Sequence, residues 1–175
     1  MRYFSGTIRP ILIATLLLAS NAAWAQALEV EITDWGLSAA RVIGHEPAPG
    51  TSAGYSARID NWADPPLERT DIIDACPGTQ FGIKYRLKNA GPASLEEMEI
   101  EWTHPPFHLT DGRATTTDRF PAIALATPVL NGWFFEEAYE LVPGEWIVSI
   151  QRDGETLAQH RFTVRVVRDC ARLSS

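Results

Sequence analysis

Phe81-Gly82-Ile83-Lys84-Tyr85-Arg86-Leu87-Lys88 decides the fold class. Large apolar residues occupy every second position, with a glycine and three cations between them. That alternation is the period-2 signature of a strand with one face buried and one face wet. Asn89-Ala90-Gly91-Pro92 breaks the pattern as a turn. Beyond it, Met98, Ile100 and Trp102 alternate with Glu97, Glu99 and Glu101, a second strand with an acidic outer face. The two strands are expected to pair as neighbours. The Lys84/Arg86/Lys88 row would then lie beside the Glu97/Glu99/Glu101 row, since opposite charges across a strand pair help set register.

The same reading extends toward the C-terminus. Trp133-Phe134-Phe135 is an aromatic cluster, and Pro143-Gly144 marks a turn. Trp146, Val148 and Ile150 alternate with Ile147, Ser149 and Gln151. Asp153-Gly154 is a hairpin signal, and the returning strand places Phe162, Val164 and Val166 on one face. Between these blocks, Pro105 and Pro106 are expected to end the acidic strand. Asp111-Gly112 is a turn, and Thr115-Thr116-Thr117 starts a short edge strand.

Toward the N-terminus, Leu28 to Thr33 alternate as a half-buried strand, broken by a bulge or bend at Asp34-Trp35-Gly36. Pro47 to Gly54 is a loop by composition, and Tyr55 to Trp62 forms a short strand stopped by Asp64-Pro65-Pro66. Short alternating strands separated by turn signals imply an all-β, antiparallel β-sandwich. In a seven-strand sandwich of immunoglobulin type, the second strand starts at the pole where the last strand ends. Cys76 lies just before the strand that would be second, and Cys170 just after the last. A Cys76–Cys170 disulfide would pin the C-terminus to that pole, unlike the inter-sheet bond of antibody domains.

Residues 1–25 read as a secretory signal peptide. Arg2 and Arg9 supply the positive region, Ile11 to Ala19 the apolar segment, and Ala23-Trp24-Ala25 the cleavage site. The mature chain is expected to start at Gln26 and to form a single domain over residues 26–175. This places the protein in the periplasm or the external medium, where disulfides persist. The mature chain keeps 13 basic against 22 acidic residues, a net charge of −9. Such a balance argues against nucleic acid or anionic lipid as a partner. No second apolar stretch approaches the roughly 18 residues of a membrane-spanning helix, so no integral membrane segment is expected in the mature chain.

Gly132-Trp133-Phe134-Phe135-Glu136-Glu137 followed by Glu140-Leu141-Val142-Pro143-Gly144-Glu145-Trp146 resembles the signature of a bacterial family known as a domain of unknown function. The likeness extends to an opening strand, Val30 to Gly36, to Gly78–Leu87, and to the hairpin from Asp153-Gly154 into Phe162-Thr163-Val164. The resemblance implies a small immunoglobulin-like domain of exported or envelope proteins. It implies no activity and no catalytic residue.

Few residues point to chemistry. His104 and His108, near Glu101 and Asp111, offer borderline metal ligands. The intervening Pro105-Pro106 forbids the helical i, i+4 geometry of a strong two-histidine site. No G-x-S-x-G elbow is present, and both cysteines are expected to be bonded. Glu136 and Glu137 are adjacent, so on a strand they face opposite ways and cannot straddle one glycosidic bond. Among the tryptophans, Trp102 and Trp146 fall on inward positions and read as core. Trp35, Trp62 and Trp133 lie at bends or loops and would form a binding patch if exposed together.

The expected function is therefore a non-catalytic, exported, cofactor-free binding module. Its partner would be another envelope protein or an extracellular ligand, held at one pole or along an exposed edge strand. Two alternatives compete with it: a metal-binding protein or enzyme using the His104–Asp111 turn, and a carbohydrate-binding module using Trp35, Trp62 and Trp133.

Overall fold

The computed structural model describes residues 28–60, 67–167 and 170. The signal-peptide reading of residues 1–25 and the candidate Trp62 lie outside them. The stretch that decides the fold class becomes β6 (Gln80–Leu87), with Phe81, Ile83, Tyr85 and Leu87 all buried. It is central in a four-stranded antiparallel sheet. β1 (Val30–Ser38) and then β4 (Leu67–Glu68) lie on one side of it, and β9 (Val129–Phe134) on the other.

The second sheet has the order β5 (Ile72–Asp74), β11 (Glu155–Arg165), β10 (Gly144–Arg152), β7 (Leu95–His108), β8 (Ala114–Leu125). β2 (Val42–Pro47) and β3 (Tyr55–Ile59) form a separate two-stranded hairpin. The arrangement of β1, β6 and β9 against β7, β10 and β11 is that of an immunoglobulin-like sandwich, with β8 as an added edge. Asp153 and Gly154 both take positive φ, 52° and 80°, and close the β10–β11 hairpin as the sequence predicts.

The core is an aromatic stack between the sheets. Trp102 of β7 and Trp146 of β10 are fully buried, as their inward positions require. The Phe81 ring lies 5.4 Å from Trp102 and 5.1 Å from Phe162, in edge-on contacts typical of buried aromatics. Trp133 joins this stack, 5.2 Å from Trp146.

Four expectations change. The Lys84/Arg86/Lys88 and Glu97/Glu99/Glu101 rows are not neighbours, because β6 and β7 belong to different sheets. Charge complementarity instead links neighbouring segments within each sheet: Arg86 of β6 to Glu31 of β1, Lys88 just past β6 to Glu29 just before β1, and Arg119 of β8 to Glu101 of β7. Pro105 and Pro106 do not end the acidic strand. β7 runs on to His108, and the irregularity in its pairing between Thr103 and Phe107 falls where the prolines lack N–H donors. That irregularity turns both His104 and Phe107 inward, with rings stacked 3.6 Å apart.

Asp34-Trp35-Gly36 does not end β1: the irregularity falls just before it, between Ile32 and Asp34, and the strand runs on to Ser38. A Cβ on Gly36 would stand 1.9 Å from the Glu68 carbonyl oxygen, so glycine there lets β4 approach closely rather than forming the bulge. Finally, β8 is a twelve-residue edge strand rather than a short one.

Cys76 and Cys170 are bonded, with Cα atoms 5.6 Å apart. β5 pairs in parallel with β11 through Ile72↔Thr163, Ile73↔Val164 and Asp74↔Arg165. The disulfide ties the two chain segments together just past this short ladder.

Candidate functional site

The β2–β3 hairpin lies over the side of the sandwich where the free edges of β9 and β8 meet. Beneath it is a cavity of about 530 Å³, within the range of ligand pockets. The loop that composition marks at Pro47 to Gly54 is the tip of this hairpin. It is held by polar contacts rather than by a strand ladder. The Ser52 backbone N–H and hydroxyl both donate to the Asp118 carboxylate, the hydroxyl at 2.9 Å. The Arg119 N–H donates to the Gly50 carbonyl at 2.9 Å. At the other flank, His45 Nε2 lies 2.8 Å from Glu136, and the Tyr55 hydroxyl donates to Glu137 at 3.2 Å.

The adjacent carboxylates Glu136 and Glu137 therefore clasp the hairpin. Desolvation, followed by the nearby Glu136 and Glu137 charges, pushes the Tyr55 hydroxyl up to about 12. They precede a short 3-10 turn, Ala138–Glu140, whose Glu140 is buried at the cavity wall. Glu140 Oε2 accepts the Glu136 and Glu137 amides at 2.8 and 3.0 Å. Burial nevertheless outweighs those two bonds and pushes its carboxyl up to about 7.

Among the described residues, two buried polar atoms of residues that line the cavity have no hydrogen-bond partner, Gln80 Oε1 and Trp133 Nε1. Their residues are only 8% and 7% exposed. A buried polar group without a partner costs roughly 1–3 kcal/mol, and both atoms are themselves closed to solvent, so neither fronts the open space of the cavity. One atom accepts and the other donates.

The candidates singled out from sequence are dispersed. Trp133 is in the core stack, and the residue borders the cavity. Trp35 lies across β6 from it, under the Arg69 guanidinium at 4.3 Å and beside the His160 ring at 4.8 Å. The two do not form a shared aromatic platform. His104 and His108 likewise separate: His104 is buried and His108 exposed. His104 Nδ1 lies 2.8 Å from the Pro105 carbonyl, and Nε2 lies 2.7 Å from Asp118. No group of three metal-ligating side chains occurs among the described residues.

Ser52, Asp118 and His104 do meet, but the aspartate sits between the other two. A hydrolytic triad needs the histidine there, within reach of the hydroxyl proton. This trio is a tether for the hairpin.

Sequence reasoning misses β2, the docking of the hairpin and the cavity. One signal was present. Asp118 falls on an inward position of β8, where a carboxylate needs buried partners.

A family model described as a domain of unknown function (DUF3859) matches residues 42–164. β2, β3, β8, β9 and the 3-10 turn, which together border the cavity, all lie in that range, whereas the Val30–Gly36 strand precedes it. No curated protein matches the chain. An immunoglobulin-like protein from Pseudomonas aeruginosa, solved at 1.50 Å, superposes with a TM-score of 0.53 at 22% identity, covering 81% of this chain and 99% of that one. The likeness shows the fold. A DNA-bound alkylpurine DNA glycosylase from Pseudomonas fluorescens matches over 54% of this chain and 28% of its own, with a TM-score of 0.34 at 15% identity, and carries no argument.

Proposed function

The chain belongs to the DUF3859 family of domains of unknown function, and from that premise we propose that it is a non-catalytic binding domain of the cell envelope. Its ligand site is the cavity beneath the β2–β3 hairpin. The observation that carries this reading is the pocket-sized space of about 530 Å³ itself, lined by apolar and aromatic side chains with a few convergent carboxylates. The Cys76–Cys170 bond and the signal-like residues 1–25 support an exported location, in the periplasm or outside the cell. No helix among the described residues is long and apolar enough to cross a membrane.

Mature protein, residues 26–175, tests this when used as bait in an envelope extract beside an Ala57→Trp variant, which fills the cavity from β3. The expected result is one retained component that the variant loses while keeping the wild-type melting temperature. Equal retention by both proteins would contradict the assignment.

A further inference from the structure

The cavity meets β3 and β9 at their edges. Every residue of β3 from Tyr55 to Ile59, and every residue of β9 from Val129 to Phe134, borders it. A strand presenting one face would contribute every second residue only. Among the described residues, β9 pairs with β6 alone, and β3 with β2 alone. Just past β9, the Phe135 N–H donates to Thr79 and its carbonyl accepts from Gly78, both toward the β6 side. Counting back by the two-residue alternation, Phe134, Gly132 and Leu130 turn their N–H and C=O groups away from β6, toward the cavity.

β9 also lacks the features that normally protect an edge. Val129-Leu130-Asn131-Gly132-Trp133-Phe134 contains no charge and no proline. The neighbouring edge, β8, differs. It carries Pro121, and its Arg119 N–H is already taken by Gly50. The charges around the cavity select the occupant further. Glu46, Asp118, Glu136 and Glu140 border it against the single cation Arg58 among the described lining residues.

We infer that the cavity receives an extended peptide segment of a partner protein, which adds to β9 as a new strand between β9 and β3 and brings a lysine or arginine side chain to the Glu46/Glu136 mouth. This inference rests on the binding reading and names its ligand class. Strand addition gives affinity through main-chain bonds and specificity through alternate side chains.

The test is selection of a displayed library of random ten-residue linear peptides on the disulfide-bonded mature protein, with counter-selection on the Ala57→Trp variant. Ala53→Trp, on the hairpin loop, replaces that variant if it fails to fold. The winning peptide is then synthesised. It is expected to be apolar with one cation, and to slow hydrogen exchange at the Leu130, Gly132 and Phe134 amides about tenfold or more. Replacing its cation with norleucine, or Glu46 with Gln, should weaken binding by up to about fivefold, the range of partly exposed ion pairs.

No enriched peptide, protection confined to another edge, or self-association of the protein through β9 would each overturn the inference. Cavity-dependent capture from the envelope without any peptide binder would leave the binding reading standing and remove only the peptide. Capture indifferent to the filled cavity would remove the binding reading itself.

Discussion

The fully buried carboxylate of Asp118 on β8 accepts both the backbone N–H and the hydroxyl of Ser52, 66 positions earlier at the hairpin tip. The same carboxylate meets His104 of β7. One side chain therefore joins the hairpin to the sandwich and sets the far wall of the cavity.

Removing that side chain should loosen the hairpin and the fold together. Asp118→Ala leaves His104 Nε2 without its partner and removes both Ser52 bonds, and an unsatisfied buried group alone costs about 1–3 kcal/mol, so the loss should be about 3 kcal/mol or more. Ser52→Ala removes only the hydroxyl bond and should cost about 1 kcal/mol. Urea unfolding gives both values. Limited proteolysis should show new cleavage within residues 48–54 in Asp118→Ala and little in Ser52→Ala.

The sandwich was legible because its strands alternate cleanly: the inward positions of β6, β10 and β11 are buried, although β6, inside its sheet, also buries Gly82 and Lys84 on the face expected to be wet. The disulfide was legible from the places of Cys76 and Cys170 relative to the second and last strands. Strand neighbours were not legible. Rows of opposite charge on β6 and β7 are complementary on paper, yet each row finds partners inside its own sheet. The site was least legible. Its hairpin packs through a few polar contacts distant in sequence, and β2 buries too little surface to show a period, with most of its residues exposed. Pro105 and Pro106 misled because an irregular stretch of paired strand can absorb prolines that a regular ladder cannot.

The disulfide should contribute strongly to stability. It closes a loop spanning 94 positions, and chain-entropy arguments give about 4–5 kcal/mol for a loop of that size. The Cys76→Ser/Cys170→Ser double variant should show a correspondingly lower urea midpoint. Reductant should shift wild type by a similar amount and leave the double variant unmoved.

Glu140 should make stability fall as pH rises. Burial holds its folded carboxyl at about 7, above an ordinary 4.5, so the folded protein binds this proton more tightly than the unfolded chain does. The contribution is fully favourable below about pH 4.5 and is lost as pH climbs through 7, amounting to about 3 kcal/mol. Other carboxylates titrate in the same range, so the comparison is with Glu140→Gln, which has no proton to lose. Relative to wild type, this variant should gain about 2–3 kcal/mol between pH 5 and pH 8, read from urea unfolding at each pH.

The most direct test of the cavity as the binding site is photo-crosslinking in intact cells from two exposed positions. Ile43 stands at the cavity mouth, half exposed, and Val166 is exposed just past the end of β11. A photoreactive amino acid at position 43 should capture a discrete partner, and the same group at position 166 should not. Capture from position 166 alone, or the same products from both positions, would contradict the assignment of the site.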